Sequence, residues 1–310
     1  MNDADLAKIL TAATPATFKI FSEAFSRTSS GLKVAGRKAL IGAMSSLQGY
    51  SKYLEETHER VATFKSFANP SEPVKILDHF VTTKLQKKKD EVFDHDYIVD
   101  LASRRSKIVV SASAGYGKSM LMKLISLHLF ENPNGKIPLF CELRHLNRIK
   151  SPNIIDYIHL NYKQNSDVNR SSLEKGLENG AFCFILDGFD ELNHEIRPII
   201  EDQILTLSSQ YPKNSFIVSG RPDERFDSWR SFRTFKILPM AKTQVIELIS
   251  KLNYDSGTKR RFIEKIKKGG LYETHESFLS TPLLAILMLL TFEENANIPD
   301  KIHLFLQQGI

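Results

Sequence analysis

The chain has 310 residues, 42% of them hydrophobic and 25% charged, with 42 lysines and arginines against 36 aspartates and glutamates for a formal net charge of +6. That length accommodates two domains. The two cysteines, Cys141 and Cys183, fall inside expected strands, which excludes a disulfide framework and argues for core thiols in a reducing compartment. The nine histidines show no metal-ligand spacing. The longest apolar run, Pro282 to Phe292, is shorter than the ~20 residues that span a bilayer, so a buried helix is expected there. The amino terminus, MNDADLAKIL, is acidic and lacks the apolar core of a secretory signal, so a cytoplasmic location is expected.

Residues 3 to 67 carry helical periodicity punctuated by Pro15 and Gly31. Leu32, Val34, Ala39, Leu40, Ala43, Leu47, Tyr50 and Tyr53 predict one long helix with an apolar face, so residues 1–70 are expected to form an N-terminal helical domain, an effector or adaptor. ANPSEP, residues 68–73, reads as a hinge. Residues 71–104 read as a linker and entry segment, with a helix expected over 77–85 leading into the lysine run Lys87–Lys89.

The β-branched run Lys107 to Ser111 predicts a buried strand, and Met120, Leu121, Leu124, Ile125, Leu127 and Leu129 fall at helical spacing after it. Between them lies Ala112-Ser113-Ala114-Gly115-Tyr116-Gly117-Lys118-Ser119-Met120. This resembles the phosphate-binding pattern G-x-x-x-x-G-K-[ST], with Ala112 in place of its first glycine. Gly115 and Gly117 allow successive backbone N–H groups to face an anion. The helix start adds its positive end. Lys118 is expected to reach the β- and γ-phosphates of a nucleotide and Ser119 to hold Mg²⁺. Alanine at 112 fits if that position needs a negative φ; otherwise it costs roughly 1–2 kcal/mol.

Farther along, KIPLFCEL predicts a strand, Ser151 and Pro152 open a helix, and Gly180 closes the next one. Phe182 to Leu186 is a continuous apolar run, as in a central parallel strand, and ends in Asp187, expected to hold Mg²⁺. Asp190 and Glu191 follow, and either is placed to orient an attacking water. A helix over IRPIIEDQILTLSSQ leads to the strand of NSFIVSGRP, with Arg221 just past its end, where a cation would sense the γ-phosphate. FRTFKIL predicts one more strand, and after Ala241 only helical pattern remains. Alternating strands and helices predict an α/β fold: a doubly wound, mostly parallel sheet over 105–240, with an N-terminal helical domain and a C-terminal helical lid subdomain over 241–310.

These motifs, in this order, resemble the NACHT family of signal-transduction ATPases with numerous domains (STAND). Asp187 to Leu192 matches the family's Asp-Gly-x-Asp-Glu-Leu, and Ser219-Gly220-Arg221-Pro222 resembles its Ser-Arg-Pro with one extra glycine. STPLLAILMLL, residues 280–290, resembles the helical segment whose proline packs on the nucleotide base, a position matched by Pro282. IPDKIHLFLQQ, residues 298–308, resembles the end of the module before a winged-helix domain, so the lid is expected to be cut short.

The resemblance implies a P-loop NTPase using ATP/ADP and Mg²⁺, self-association on activation, and a role in innate immunity, with antiphage defence favoured. It also implies a trigger sensed by a C-terminal part outside this chain. Two other readings compete: an ATPase acting on nucleic acid, of helicase-loader or transposition type, and a nucleotide-binding scaffold without turnover. Lys87–Lys89, Lys259–Arg261 and Lys265–Lys268 are basic clusters without an aromatic platform, so a nucleic-acid partner is the less favoured reading.

Overall fold

A computed structural model describes residues 51–131, 136–163 and 170–294. The expected helical bundle before Ser51 and the segment 298–308 lie outside the described residues. The first element is helix α1 (Ser51–Ala62), followed by a two-stranded antiparallel hairpin, β1 (Thr63–Ser66) and β2 (Asn69–Lys75). A short helix α2 (Ile76–His79) leads to strands β3 (Lys84–Lys88) and β4 (Glu91–Asp94), and helix α3 (His95–Ser103) closes this entry region.

Here the structure corrects the sequence reading. The expected hinge at 68–73 is mostly strand β2, where Pro70 and Pro73 are tolerated because a two-stranded ribbon leaves each strand a free edge. The helix expected over 77–85 stops at His79, and β3 begins at Lys84. The segment read as a linker therefore carries two strands of the main sheet. Leu85 is the fully buried anchor of β3, and Lys84 pairs with Asp94 at 2.5 Å across to β4. Charge on both strands hid them: each is half-exposed, and their cross-strand ion pairs read as a solvated linker.

The α/β core follows as β5 (Lys107–Ser111), α4 (Lys118–Glu131), β6 (Ile137–Glu142), α5 (Ile154–Lys163), α6 (Arg170–Asn179), β7 (Phe182–Asp187), α7 (Arg197–Gln210), β8 (Ser215–Gly220), the short α8 (Arg225–Ser228) and β9 (Arg233–Ile237). Short 3₁₀ turns occupy Leu143–Arg148 and Phe189–Glu191. The seven-stranded sheet has the order β4-β3-β9-β5-β8-β7-β6. The five strands from β9 to β6 are parallel, and β3 and β4 are antiparallel additions at one edge.

Strands β7 and β8 are buried at every position, which explains their unbroken apolar or small-residue sequence: both faces of a parallel sheet are covered. From β5 the chain steps out to β6 and returns through β7 and β8 on one side, then crosses to β9 on the other. The connections thus diverge at the carboxyl end of β5, which opens a crevice there.

Helices α9 (Lys242–Lys251), α10 (Ser256–Lys268), α11 (Leu271–Thr274), α12 (Glu276–Leu279) and α13 (Pro282–Glu294) form the lid. It has its own core, in which Val245, Ile249, Phe262, Ile266, Leu279 and Leu289 are fully buried. Helix α1, by contrast, belongs to the α/β core. Val61 is fully buried there, and His58 meets Phe130 of α4 edge-on at 5.5 Å. Arg60 donates to the Phe140 carbonyl of β6 at 3.4 Å and lies over the Phe140 ring, and Lys123 of α4 donates to the Thr63 carbonyl at 3.2 Å.

Candidate nucleotide site

Strand β5 delivers the loop to the crevice. The Ala112 N–H donates to the Gly220 carbonyl at 3.1 Å, so Ala112 continues the β5–β8 ladder, and its side chain is buried. An alanine is accommodated where the strand simply runs on. The turn itself falls on Gly115 (φ +80°) and Gly117 (φ +85°), both left-handed, which is why glycine stands at those two positions.

Lys118 opens α4 and folds back, donating to the carbonyls of Ala112 at 2.8 Å and Ser113 at 3.2 Å. Burial lowers its ammonium pKa, partly opposed by Asp190. Its contacts are neutral acceptors, and an anionic phosphate would be a stronger partner.

Behind the loop, Asp187 ends β7 with only 7% of its surface exposed. The Ser219 hydroxyl donates to its Oδ1 at 2.5 Å while accepting from the Gly188 N–H at 2.9 Å. Burial pushes the Asp187 carboxyl pKa up, opposed by hydrogen bonds from Ser219 and Ser119. Ser119 thus touches Asp187, and a hydroxyl with a carboxylate is an oxygen donor set suited to a hard divalent cation. A buried carboxylate with a raised pKa gains most from a cation beside it.

Glu142 lies opposite Asp187 in the β6–β7 register and is held by Arg144 at 3.1 Å and His145 at 3.3 Å. Sequence reasoning missed this group. A charged residue at the carboxyl end of a buried strand next to the Asp187 strand was the signal available.

The acidic turn divides its two carboxylates. Asp190 is engaged at both oxygens by Arg221: the backbone N–H donates to Oδ1 at 3.1 Å and Nε to Oδ2 at 2.9 Å. Glu191 is freer, with Arg144 at 3.9 Å; its pKa is raised by burial first, with Arg144 opposing and Asp187 and Asp190 adding. Arg197 donates to the Asp190 and Leu192 carbonyls and Asn147 to the Glu191 carbonyl, so the turn is fixed from two sides. Gly188 (φ +81°) makes the turn, and a side chain there would crowd Glu191 at 3.1 Å.

A cleft of about 410 Å³ joins these parts. Of the residues singled out in the sequence, Ala114 to Met120, Asp190, Glu191, Arg221 and Pro282 line it. Ala112, Ser113 and Asp187 do not; the first two serve Lys118 through their carbonyls, and Asp187 lies beneath Ser119. The lid meets the loop directly: the Leu283 N–H of α13 donates to the Gly115 carbonyl at 3.2 Å. The opposite wall comes from the hairpin and the stretch 79–84, neither of which the sequence marked.

Among the described residues no group of histidine, cysteine, aspartate or glutamate side chains forms a separate metal cluster, and no helix is long and apolar enough to cross a membrane.

A left-handed glycine loop between a buried strand and a helix, a lysine at that helix's first position, and a buried aspartate touching the following serine define a P-loop NTPase. Residues 106–256 match the family model of the NACHT domain, which is consistent with a NACHT P-loop NTPase. No curated protein matches the chain.

Proposed function

We propose that this protein is an ATP-driven switch: it binds ATP with Mg²⁺, hydrolyses it slowly, and self-associates in one nucleotide state, in an innate defence role of antiphage type. The observation that carries the switch is the joint between loop and lid, where Gly115 and Leu283 share a hydrogen bond at the cleft. A ligand on the loop and the position of the lid cannot vary independently across such a joint, and a nucleotide shifts an equilibrium only through its different affinities for two states. The defence role rests on the family's character alone.

In this reading Lys118 exchanges two carbonyls for the β- and γ-phosphates. Ser119 and Asp187 hold Mg²⁺, which would neutralise phosphate charge. Glu191, whose pKa burial raises, takes the proton of the attacking water as general base. Asp190 positions Arg221, and Arg221 turns to the γ-phosphate when one is present.

The test is calorimetric titration with ATP, together with mass measurement in the presence of a slowly hydrolysed ATP analogue. Binding in the wild type, its marked weakening in Lys118→Ala, and a mass increase with the analogue are expected. No binding by folded wild-type protein refutes the reading.

A further inference from the structure

The cleft extends past the phosphate loop to a wall for which no ligand role has been given. Hairpin β1–β2 contributes Phe64 and Phe67, and helix α2 contributes His79. Phe67 is 63% exposed, the most exposed large apolar side chain among the described residues, and it sits at the mouth of the cleft. A bare aromatic ring there gains by covering a flat apolar surface.

His79 supplies an independent observation. Its Nδ1 is 3.1 Å from the Lys75 carbonyl, which can only accept, so Nδ1 carries the proton and Nε2 of the neutral ring is an acceptor. Nε2 is closed off from solvent and meets no hydrogen-bond partner among the described residues. An unmet buried acceptor is costly, and a donor brought by a ligand would relieve that cost. Phe64 packs edge-on against the imidazole, with centroids 5.8 Å apart. Phe64 belongs to a two-stranded sheet separate from the main one, and a ligand reaches Nε2 only if the cover over the ring moves aside.

We propose that this wall reads the nucleobase: Phe67 stacks on the ring, and His79 Nε2 accepts a hydrogen bond from an exocyclic amino group at the purine 6-position. The site thereby selects adenine, which offers a donor there, over guanine, which offers a carbonyl. A site built around one hydrogen bond rejects the analogue that leaves it unpaired. The proposal rests on the reading of the P-loop as the phosphate site, and it assigns the base end of the same ligand.

The experiment titrates the full chain, with Mg²⁺, against ATP, GTP and inorganic tripolyphosphate by calorimetry. Phe67→Ala should weaken ATP by about five- to a hundredfold, the worth of one stacked base, and leave tripolyphosphate unchanged. His79→Ala should weaken ATP by about three- to tenfold, the worth of one neutral hydrogen bond, and leave GTP unchanged. His79→Gln, whose side-chain carbonyl can accept, should recover part of the preference.

Unchanged ATP affinity in Phe67→Ala, or an unchanged ATP-to-GTP ratio in His79→Ala, overturns the proposal. So does equal weakening of ATP and tripolyphosphate, since the hairpin would then serve the loop and not the base. Phe67→Trp gives a second reading, because its fluorescence should respond to ATP and not to tripolyphosphate. Wild-type protein that binds neither probe overturns the phosphate-site reading itself, and this proposal with it.

Discussion

Gly115 and Gly117 offer a matched pair for measuring what the lid contributes at the phosphate loop. Both are left-handed, so alanine at either position carries the same backbone penalty of about 1–2 kcal/mol. Their surroundings differ. A Cβ at Gly117 meets nothing within 4 Å, whereas one at Gly115 falls 3.1 Å from both Leu283 Cβ and Thr281 Cγ2. At that spacing the Leu283 and Thr281 side chains must give by a few tenths of an ångström, which bears on the Gly115–Leu283 hydrogen bond, worth about 0.5–1.5 kcal/mol net. Gly117→Ala should therefore cost about 1–2 kcal/mol of stability and Gly115→Ala up to about 1.5–3.5 kcal/mol. The assay is urea denaturation of nucleotide-free protein followed by circular dichroism, with hydrogen exchange on α13 as the local probe. Faster exchange at Leu283 is expected in Gly115→Ala alone. If the two variants lose equal stability, or Leu283 exchanges equally in both, the lid does not bear on the loop and the coupling argument fails.

Other outcomes follow from the same geometry. Lys118→Ala should weaken ATP binding by about ten- to a hundredfold, the worth of a charge-assisted partner, as read by calorimetry. Single-turnover hydrolysis should rise with pH as Glu191 ionises, on an acid limb that burial shifts upward, and Glu191→Gln should lose that limb while still binding ATP. Asp187 has a raised folded-state pKa, so its ionised form disfavours the fold above that pKa, with no difference below the unfolded value. Metal-free Asp187→Asn should therefore melt higher than wild type at neutral pH, and this gain should shrink as pH falls; a lower melting point at neutral pH contradicts the burial argument. Removing residues 1–50 should leave ATP binding intact while abolishing the biological readout. Removing 1–70 also strips fully buried Val61 from the core and should yield insoluble or non-binding protein, as solubility and calorimetry would report.

The parallel core was legible because its strands are buried on both faces: Phe182 to Asp187 and Ser215 to Gly220 have no solvent side to carry alternation, so their sequences run apolar or small without break. The loop was legible because glycine at 115 and 117 answers a local backbone demand. What stayed hidden depends on partners distant in sequence. Strand β3 exists because Leu85 pairs with Ile237, and Lys84–Lys88 alone looks like a solvated run. Asp190 and Glu191 are adjacent and chemically alike, and only the position of Arg221 separates them. The packing of α1 on the α/β core stayed hidden for the same reason: Thr57 and Val61 have helical spacing in any setting, and nothing local says that they face α4.

Helix α1 is rooted on the α/β core by Arg60, which reaches β6, and by Lys123 of α4, which reaches the Thr63 carbonyl at its end. It behaves as a post, not a tether. The direction in which α1 points at its Ser51 end is therefore set by the α/β core. Were copies to assemble around their α/β cores, the Ser51 ends of α1, where residues 1–50 attach, would stand at equivalent points with a common heading. The entropy of finding one another's orientation would already be spent, so even weak contacts among those segments would act at high effective concentration.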